Sequence, residues 1–110
     1  MEQGDIVLIP FPYTNQQGTV RRPALVVSGS VLNNTADVIL VQITSNNRQD
    51  NFSISIDNQI DLTVPLNKIS EIRCNKILVA EKSIIIKTIS SVKSNIVKSV
   101  IAKINDIFQP

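Results

Sequence analysis

The sequence predicts a mainly β fold, in which six or seven short strands form a small barrel followed by one C-terminal amphipathic helix. Three observations support this prediction. Short apolar runs rich in isoleucine and valine recur along most of the chain, and residues that favour turns separate them. Short strands at this spacing are typical of small barrels rather than of open sheets. At its end the chain changes from strand to helical periodicity.

The first half of the chain contains the clearest strand signals. Residues 6–9 form a short apolar run, residues 24–27 form a second one, and residues 38–43 form a third. The second run begins directly after Pro23, a position at which strands tolerate proline. Residues 10–19 are rich in turn formers and predict a loop between the first two strands. A loop of this length in so small a protein often carries function.

Weaker strand signals follow. Residues 52–56 alternate strictly between apolar and polar, which predicts a half-exposed strand with Phe52, Ile54 and Ile56 pointing inward. Further short strands are expected at residues 62–65, 69–72, 77–79 and 84–86.

The C-terminal segment has the period of an amphipathic helix. Its apolar residues share one face by their spacing, and Lys98 and Lys103 fall on the other face. Ser91 or Ser94 is expected to cap the start of this helix. The apolar face consists of Ile96, Val97, Val100, Ile101, Ile104, Ile107 and Phe108.

The composition excludes several classes of chemistry. The length of 110 residues suggests one domain, residues 1–110. The chain includes no histidine, which excludes histidine-based general bases and proton shuttles. The single cysteine cannot form an internal disulfide or an all-cysteine zinc site. The three glycines do not form either of the two common phosphate-binding loop motifs. We therefore expect neither a metal ion nor another cofactor.

The same composition indicates a cytoplasmic protein without membrane contact, because the chain has no signal peptide and no apolar segment of spanning length. The net charge of +2 is small but unevenly distributed. Residues 1–62 carry three basic and six acidic side chains, and residues 63–110 carry eight basic and three acidic ones. The basic half fits either an anionic partner or simply a well-solvated helix face.

Three segments in a fixed order carry a resemblance to a known family. They are residues 4–9 (GDIVLI), residues 22–27 (RPALVV) after Gln17 and Gly18, and residues 41–45 (VQITS). Together they resemble the MazF/PemK/Kid family of type II toxin–antitoxin ribonucleases, and the first two look most similar to its PemK-like branch. A looser similarity at residues 68–72 extends the resemblance over nearly the whole chain.

This resemblance implies an SH3-like barrel with a C-terminal helix that works as a homodimer. It implies sequence-selective cleavage of single-stranded RNA, often messenger RNA, without a metal ion. It also implies a cognate antitoxin whose C-terminal tail lies over the RNA groove. Any contact with DNA would be made only through that antitoxin.

The resemblance also implies a set of site residues. Arg22 matches the catalytic arginine, whose guanidinium can bind two phosphate oxygens at once, and Thr44 matches the catalytic hydroxyl residue. Ser45 is expected to assist them. Where some members carry an acidic residue, the nearest matching position here is Asn67, which cannot exchange protons. Glu71 is the candidate acid or base in that segment.

RNA contacts are expected mainly from the loop at residues 10–19. Its aromatic residues Phe11 and Tyr13 are candidates for stacking on unpaired bases, although packing against the barrel explains Phe11 equally well. The polar candidates of the loop are Asn15, Gln16 and Gln17, and the basic candidates for phosphate contacts are Arg21, Arg48, Lys68 and Arg73.

The residues leave a second hypothesis open. Without histidine, and with Asn67 at the acidic position, the chain is alternatively a catalytically weak or inactive SH3-like module that binds RNA or a peptide. The intact pairs of Arg22 with Pro23 and of Thr44 with Ser45 favour the enzyme. Cys74 has no activating neighbour except Arg73 and is expected to pack in the core.

Overall fold

A computed structural model describes residues 1–12 and 19–110, with only the backbone described at Phe11, Pro12 and Thr19. The predicted loop is shorter than expected, because strands extend into it from both sides, and the central part lies outside the described residues. The elements of the described ranges are β1 (Asp5–Pro12), β2 (Thr19–Val26), α1 (Ser30–Asn33), β3 (Asp37–Thr44), β4 (Ser53–Ile56), β5 (Ser70–Glu81), a 3₁₀ turn (Lys82–Ile84), β6 (Lys87–Ser91) and α2 (Ser94–Ile107).

The strands form one antiparallel sheet in the order β4-β5-β3-β2-β1-β6. The segment after β4 links the two edges of this sheet, because Leu62 forms an isolated bridge to Val92 just beyond β6. Beside it, the Thr63 amide donates to the Ser91 carbonyl at 3.0 Å. The sheet is therefore curled into a barrel-like shape with a C-terminal helix, as the sequence predicted.

Residues 62–65 do not form the strand expected for them. The Val64 amide donates to the Ser90 hydroxyl at 3.1 Å, and the same hydroxyl donates to the Val64 carbonyl at 2.7 Å. The Ser90 side chain thus occupies the backbone amide and carbonyl of Val64 that pairing with a neighbouring strand would use. Pro65, the next residue, has no amide to donate.

The strands predicted at residues 69–72 and 77–79 are parts of one long strand, β5. Its pairing with β3 shifts between Val41, which pairs with Ile77, and Gln42, which pairs with Arg73. Residues 74–76 therefore form a bulge opposite a continuous stretch of β3. A bulge bends its strand and turns side chains in new directions, and here it separates the two halves of β5.

Apolar residues pack on both faces of the sheet. On β2, Leu25 belongs to a core that α2 covers with Ile96 and Val100, while Ala24 and Val26 belong to a second core on the opposite face. This division follows from the alternation of side chains along a strand. Burial of each isoleucine or valine contributes roughly 1.5–3 kcal/mol. The second core consists of Val7, Ile9, Ala24, Val26, Val38, Leu40 and Ala80.

Three further details differ from the predictions. Phe52 is 42% exposed rather than inward, because it precedes β4 in a turn in which its amide donates to the Asp50 carboxylate at 3.0 Å. Residues 84–86 do not form a strand, since the Ile85 amide closes the 3₁₀ turn by donating to the Lys82 carbonyl at 3.0 Å. Ser94 is the first residue of α2, and its N-cap is Lys93, without a side-chain cap.

The short helix α1 was not predicted from the sequence. Within the described ranges, no helix is both long enough and apolar enough to cross a lipid bilayer.

Candidate active site

Arg22 and Thr44 lie on neighbouring strands at the end of their ladder. The pairing of β2 with β3 ends where Ala24 lies opposite Gln42, and the next residue, Pro23, has no amide to continue it. Two further residues in the same register place Arg22 opposite Thr44. Both side chains line the same two cavities. The structure therefore brings together the two residues that the resemblance singled out.

The first cavity, which we call the mixed cavity, has a volume of about 380 Å³. Its lining combines apolar residues such as Leu8, Ile43 and Leu66 with a polar rim. Such a combination suits a flat, partly apolar group that also offers hydrogen-bonding edges. Six residues predicted for the site line it together: Arg21, Arg22, Thr44, Ser45, Asn67 and Lys68.

The second cavity, which we call the basic cavity, has a volume of about 490 Å³ and shares Arg22 and Thr44 with the mixed cavity. Four of its lining residues are basic, and none of those described is acidic. Such a concentration of positive charge favours an anionic ligand. The lining residues are Arg22, Gln42, Thr44, Asn46, Arg48, Arg73 and Lys76.

The Thr44 hydroxyl is oriented by its own loop. Its Oγ1 atom accepts a hydrogen bond from the Asn46 amide at 3.1 Å. This bond uses one lone pair of the hydroxyl oxygen and leaves the O–H proton free to donate. The half-buried Thr44 can therefore donate a hydrogen bond to a ligand in either cavity.

Glu71 lines neither cavity, and its side chain is 1% exposed. Its carboxylate accepts hydrogen bonds from the Arg48 amide at 2.7 Å and the Gln49 amide at 3.3 Å. Burial by itself raises the pKa of Glu71, but these amides, the Ser53 hydroxyl and the Arg73 charge outweigh it, so the pKa is lowered. A buried carboxylate that stays ionised is poorly suited to exchange protons with a substrate. This geometry argues against the predicted acid–base role of Glu71.

Arg73 connects Glu71 to the basic cavity. Its Nη1 atom lies 2.9 Å from the Asp50 carboxylate, 2.9 Å from the Ser53 hydroxyl and 3.7 Å from the Glu71 carboxylate. The hydrogen bond from Arg73, followed by that from Ser53, lowers the pKa of Asp50 to about 2. Two carboxylates thus share the charge of Arg73, while Arg22, Arg48 and Lys76 form no salt bridge among the described residues.

The structure leaves part of the predicted RNA-binding loop undescribed. The Phe11 side chain and the whole of Tyr13, Asn15, Gln16 and Gln17 lie outside the described residues.

Sequence reasoning missed three residues of the basic cavity. Gln42 had a usable signal, because it lies two residues before Thr44 on β3 and therefore shares a face of the strand with it. Asn46 and Lys76 had none, because a turn after β3 and the bulge in β5 place them in the cavity.

The fold and the site together define a class of small proteins: a curled antiparallel sheet with a C-terminal helix and an arginine–threonine pair between two cavities. A family model for the PemK-like, MazF-like toxins of type II toxin–antitoxin systems matches residues 2–108. The chain therefore belongs to this family. No curated protein matches the sequence significantly.

Solved structures are similar to this chain in fold. A MazE–MazF complex from Deinococcus radiodurans has a TM-score of 0.79 at 19% identity, over 97% of this chain and 94% of that one. An endoribonuclease in complex with its cognate antitoxin, from a mycobacterial species, has a TM-score of 0.74 at 19% identity, over 100% and 99%. The Mycobacterium tuberculosis toxin MazF-mt6 has a TM-score of 0.74 at 16% identity, over 94% and 95%.

Proposed function

We propose that this chain is the endoribonuclease toxin of a type II toxin–antitoxin pair and cleaves single-stranded RNA at selected sequences without a metal ion. The observation that carries the proposal is that Arg22 and Thr44 line both the mixed cavity and the basic one. Family membership supports it. So does the similarity in fold to a mycobacterial protein described as an endoribonuclease.

In the proposed reaction the 2′-hydroxyl of the substrate attacks the neighbouring phosphorus. The bond from phosphorus to the 2′-oxygen forms, and the bond to the 5′-oxygen of the next nucleotide breaks. The products are a 2′,3′-cyclic phosphate and a 5′-hydroxyl. Arg22 holds two phosphate oxygens, and the Thr44 hydroxyl donates to one of them, so both groups stabilise the charge that develops in the transition state.

The proton transfers in this proposal pass through water. The described lining of the two cavities contains no carboxylate, and Glu71 is buried behind the β3–β4 connection. Water takes the proton of the 2′-hydroxyl and supplies one to the departing 5′-oxygen. Rate acceleration then comes from in-line positioning and fixed positive charge rather than from a titrating side chain. Ser45 and Asn67, on the rim of the mixed cavity, orient the substrate by hydrogen bonds.

Each cavity receives a different part of the RNA chain in this proposal. The basic cavity takes backbone phosphates, for which Arg48 is an exposed partner. The mixed cavity takes a base, with Arg21 and Lys68 near the adjoining phosphates. The predicted contacts of Phe11, Tyr13, Asn15, Gln16 and Gln17 complete the RNA-binding surface.

We further propose a homodimer that a cognate antitoxin inhibits, with DNA contacted only through the antitoxin. Two similar structures contain a toxin with its antitoxin. The surplus positive charge of the basic cavity would attract an acidic antitoxin segment as it attracts RNA. Sedimentation tests the dimer, since a mass near the 12.1 kDa of one chain at micromolar concentration would contradict it.

Cleavage of single-stranded RNA in EDTA tests the proposed reaction. Purified protein is expected to cut RNA of mixed sequence and to leave 2′,3′-cyclic phosphate ends, whereas Arg22→Ala should lose this activity. Lys98→Ala is the matched control, because it removes an exposed charge from α2 and lines neither cavity.

Three outcomes would contradict the enzymatic proposal. They are equal persistence of RNA with wild type and Arg22→Ala, cleavage only when magnesium is added, and equal loss of activity in Lys98→Ala. RNA binding without cleavage would instead support the alternative of an inactive SH3-like RNA-binding module.

A further inference from the structure

The connection between β3 and β4, residues 45–52, is held by the buried side chain of Glu71. We call this connection the clamped loop. Glu71 reaches it from β5 and accepts the Arg48 amide at 2.7 Å and the Gln49 amide at 3.3 Å. The Glu71 side chain is 1% exposed, while the Arg48 side chain is exposed and lines the basic cavity. The carboxylate therefore fixes the backbone from which Arg48 projects.

The backbone of the clamped loop is strained at the residue that follows Arg48. Gln49 has a φ of 55°, in the left-handed region that residues with a side chain seldom adopt. Such conformations persist where surrounding contacts enforce them, and they concentrate at functional sites. Here the Gln49 amide donates to Glu71 at 3.3 Å, a contact that helps to hold this conformation.

The far end of the clamped loop is tied to the same carboxylate through Ser53. The Ser53 hydroxyl lies 3.0 Å from Glu71 Oε1 and 2.8 Å from Asp50 Oδ1, and it accepts a hydrogen bond from Arg73. The loop is thus attached near its middle, through Arg48 and Gln49, and just beyond its end, through Ser53, to the buried Glu71 carboxylate. Loss of the carboxylate would release Arg48 and leave its amide without this partner.

We infer that Glu71 is a positioning residue, which holds Arg48 in the basic cavity so that Arg48 can bind a phosphate of the RNA chain. This inference rests on the proposed function for the identity of its ligand. The negative charge of Glu71 makes this inference readily testable. Removal of a negative charge beside a basic cavity would by simple electrostatics strengthen RNA binding. A positioning role demands the opposite, because the loosened Arg48 contact is lost.

The test measures binding of an uncleavable 2′-O-methyl RNA of mixed sequence to the full chain by fluorescence anisotropy over a range of salt concentrations. Glu71→Gln is expected to weaken binding about tenfold and to reduce the salt dependence by about one phosphate contact. Arg48→Ala should do the same. In the Arg48→Ala background, Glu71→Gln should have little further effect, since its effect passes through Arg48. Unchanged or tighter binding by Glu71→Gln, or additive effects in the double variant, would overturn the inference.

A second variant covers the case in which Glu71→Gln does not fold. Ser53→Ala removes one partner of Glu71, together with the contacts of this hydroxyl to Asp50 and Arg73, and leaves the Glu71 carboxylate in place. Its folding is checked by circular dichroism. It should weaken RNA binding in the same direction by a smaller factor. Wild-type binding by folded Ser53→Ala would contradict the positioning role.

Kinetics separate positioning from proton transfer. Glu71→Gln should raise KM, leave kcat within about threefold and keep the pH profile, whereas loss of a general acid or base costs about 10²–10⁴ in rate and removes one limb of the profile. The latter result would sink the inference. Failure of the proposed function looks different, because wild-type protein that binds RNA without cutting it leaves the anisotropy comparison intact.

Discussion

Arg73 and Asp50 form the closest ion pair of the described residues, with 2.9 Å between Nη1 and Oδ2. The pair joins β5 to the loop that carries Arg48, so it contributes to both folding and the shape of the basic cavity. The Arg73 side chain is 7% exposed, and that of Asp50 is 37% exposed. The buried guanidinium therefore depends on a partner that is itself open to protons from solvent.

This arrangement predicts a stability that depends on acid pH. The hydrogen bond from Arg73 lowers the pKa of Asp50 from 3.8 to about 2, so the folded state binds this proton less readily than the unfolded state. The contribution is therefore fully present above about pH 4 and is lost as the pH falls towards 2. Asp50→Asn should lack it, and its free energy of unfolding should approach that of wild type as the pH falls.

Urea unfolding at a series of pH values between 2 and 6 measures this convergence. Asp106→Asn, which removes a carboxylate from α2 away from the pair, controls for the change in net charge. A gap between wild type and Asp50→Asn that is as large at pH 2 as at pH 6 would contradict the prediction.

The Thr44 hydroxyl predicts a contrast between two variants of similar size. Thr44→Ser keeps the group that accepts the Asn46 amide and donates to the substrate, and it should retain most of the activity. Thr44→Val preserves the shape but cannot donate, and it should lose about 10²–10³ in kcat, the usual cost of one transition-state hydrogen-bond donor. Steady-state RNA cleavage measures both, with Thr88→Val, an exposed position on β6, as control. Equal activity of the two Thr44 variants would remove the hydroxyl from the mechanism.

Cys74 should be unreactive in the folded protein. It is buried in the core under α2, and this burial raises the pKa of its thiol to about 11. Since the thiolate is the reactive form, iodoacetamide at pH 8 should label native protein very slowly and urea-unfolded protein rapidly. Mass spectrometry over time gives both rates. Native labelling as fast as that of the unfolded chain would show that the bulge in β5 opens readily.

The sequence predicted those parts of the fold that depend on local patterns. Residues 38–43 are apolar except for Gln42, and residues 96–108 carry a helical period, and both appear as elements in the structure. The continuity of β5 could not be predicted, because Arg73, Asn75 and Lys76 interrupt the apolar pattern. Only pairing with β3, more than thirty residues away, carries the strand through its bulge. Phe52 fits the alternation that predicts an inward side chain. It is exposed instead, because its amide donates to the Asp50 carboxylate in a turn before β4.

The candidate site was likewise predictable only where local motifs carry the information. The resemblance predicts Arg22 and Thr44, and the register between β2 and β3 explains why motifs far apart in sequence meet. The sequence predicts an acid or base at Glu71, because it gives the type of a residue but not its burial. A carboxylate that accepts two backbone amides and remains ionised differs from a catalytic one only in its surroundings.

The last prediction concerns Gly4, a residue away from the candidate active site, whose substitution should destabilise the fold. Its φ is +96°, and a Cβ atom at this position would lie 3.1 Å from Val97 Cγ2 on α2. Its amide donates to the Val26 carbonyl on β2, and its carbonyl accepts the Val92 amide between β6 and α2, so Gly4 cannot move away without losing these two hydrogen bonds. Gly4→Ala should therefore lower the free energy of unfolding by at least about 1–2 kcal/mol, the cost of a left-handed residue with a side chain.

The matched control for Gly4 is Gly29→Ala. Gly29 has a φ of −87°, and an added Cβ atom would meet nothing within 4 Å. This variant should stay within about 0.5 kcal/mol of wild type, as surface substitutions usually do. Urea unfolding at neutral pH compares the two, and equal losses would mean that the value of Gly4 lies in general chain flexibility. A loss confined to Gly4→Ala would instead show that the positive φ of Gly4 and its close approach to α2 require a residue without a side chain.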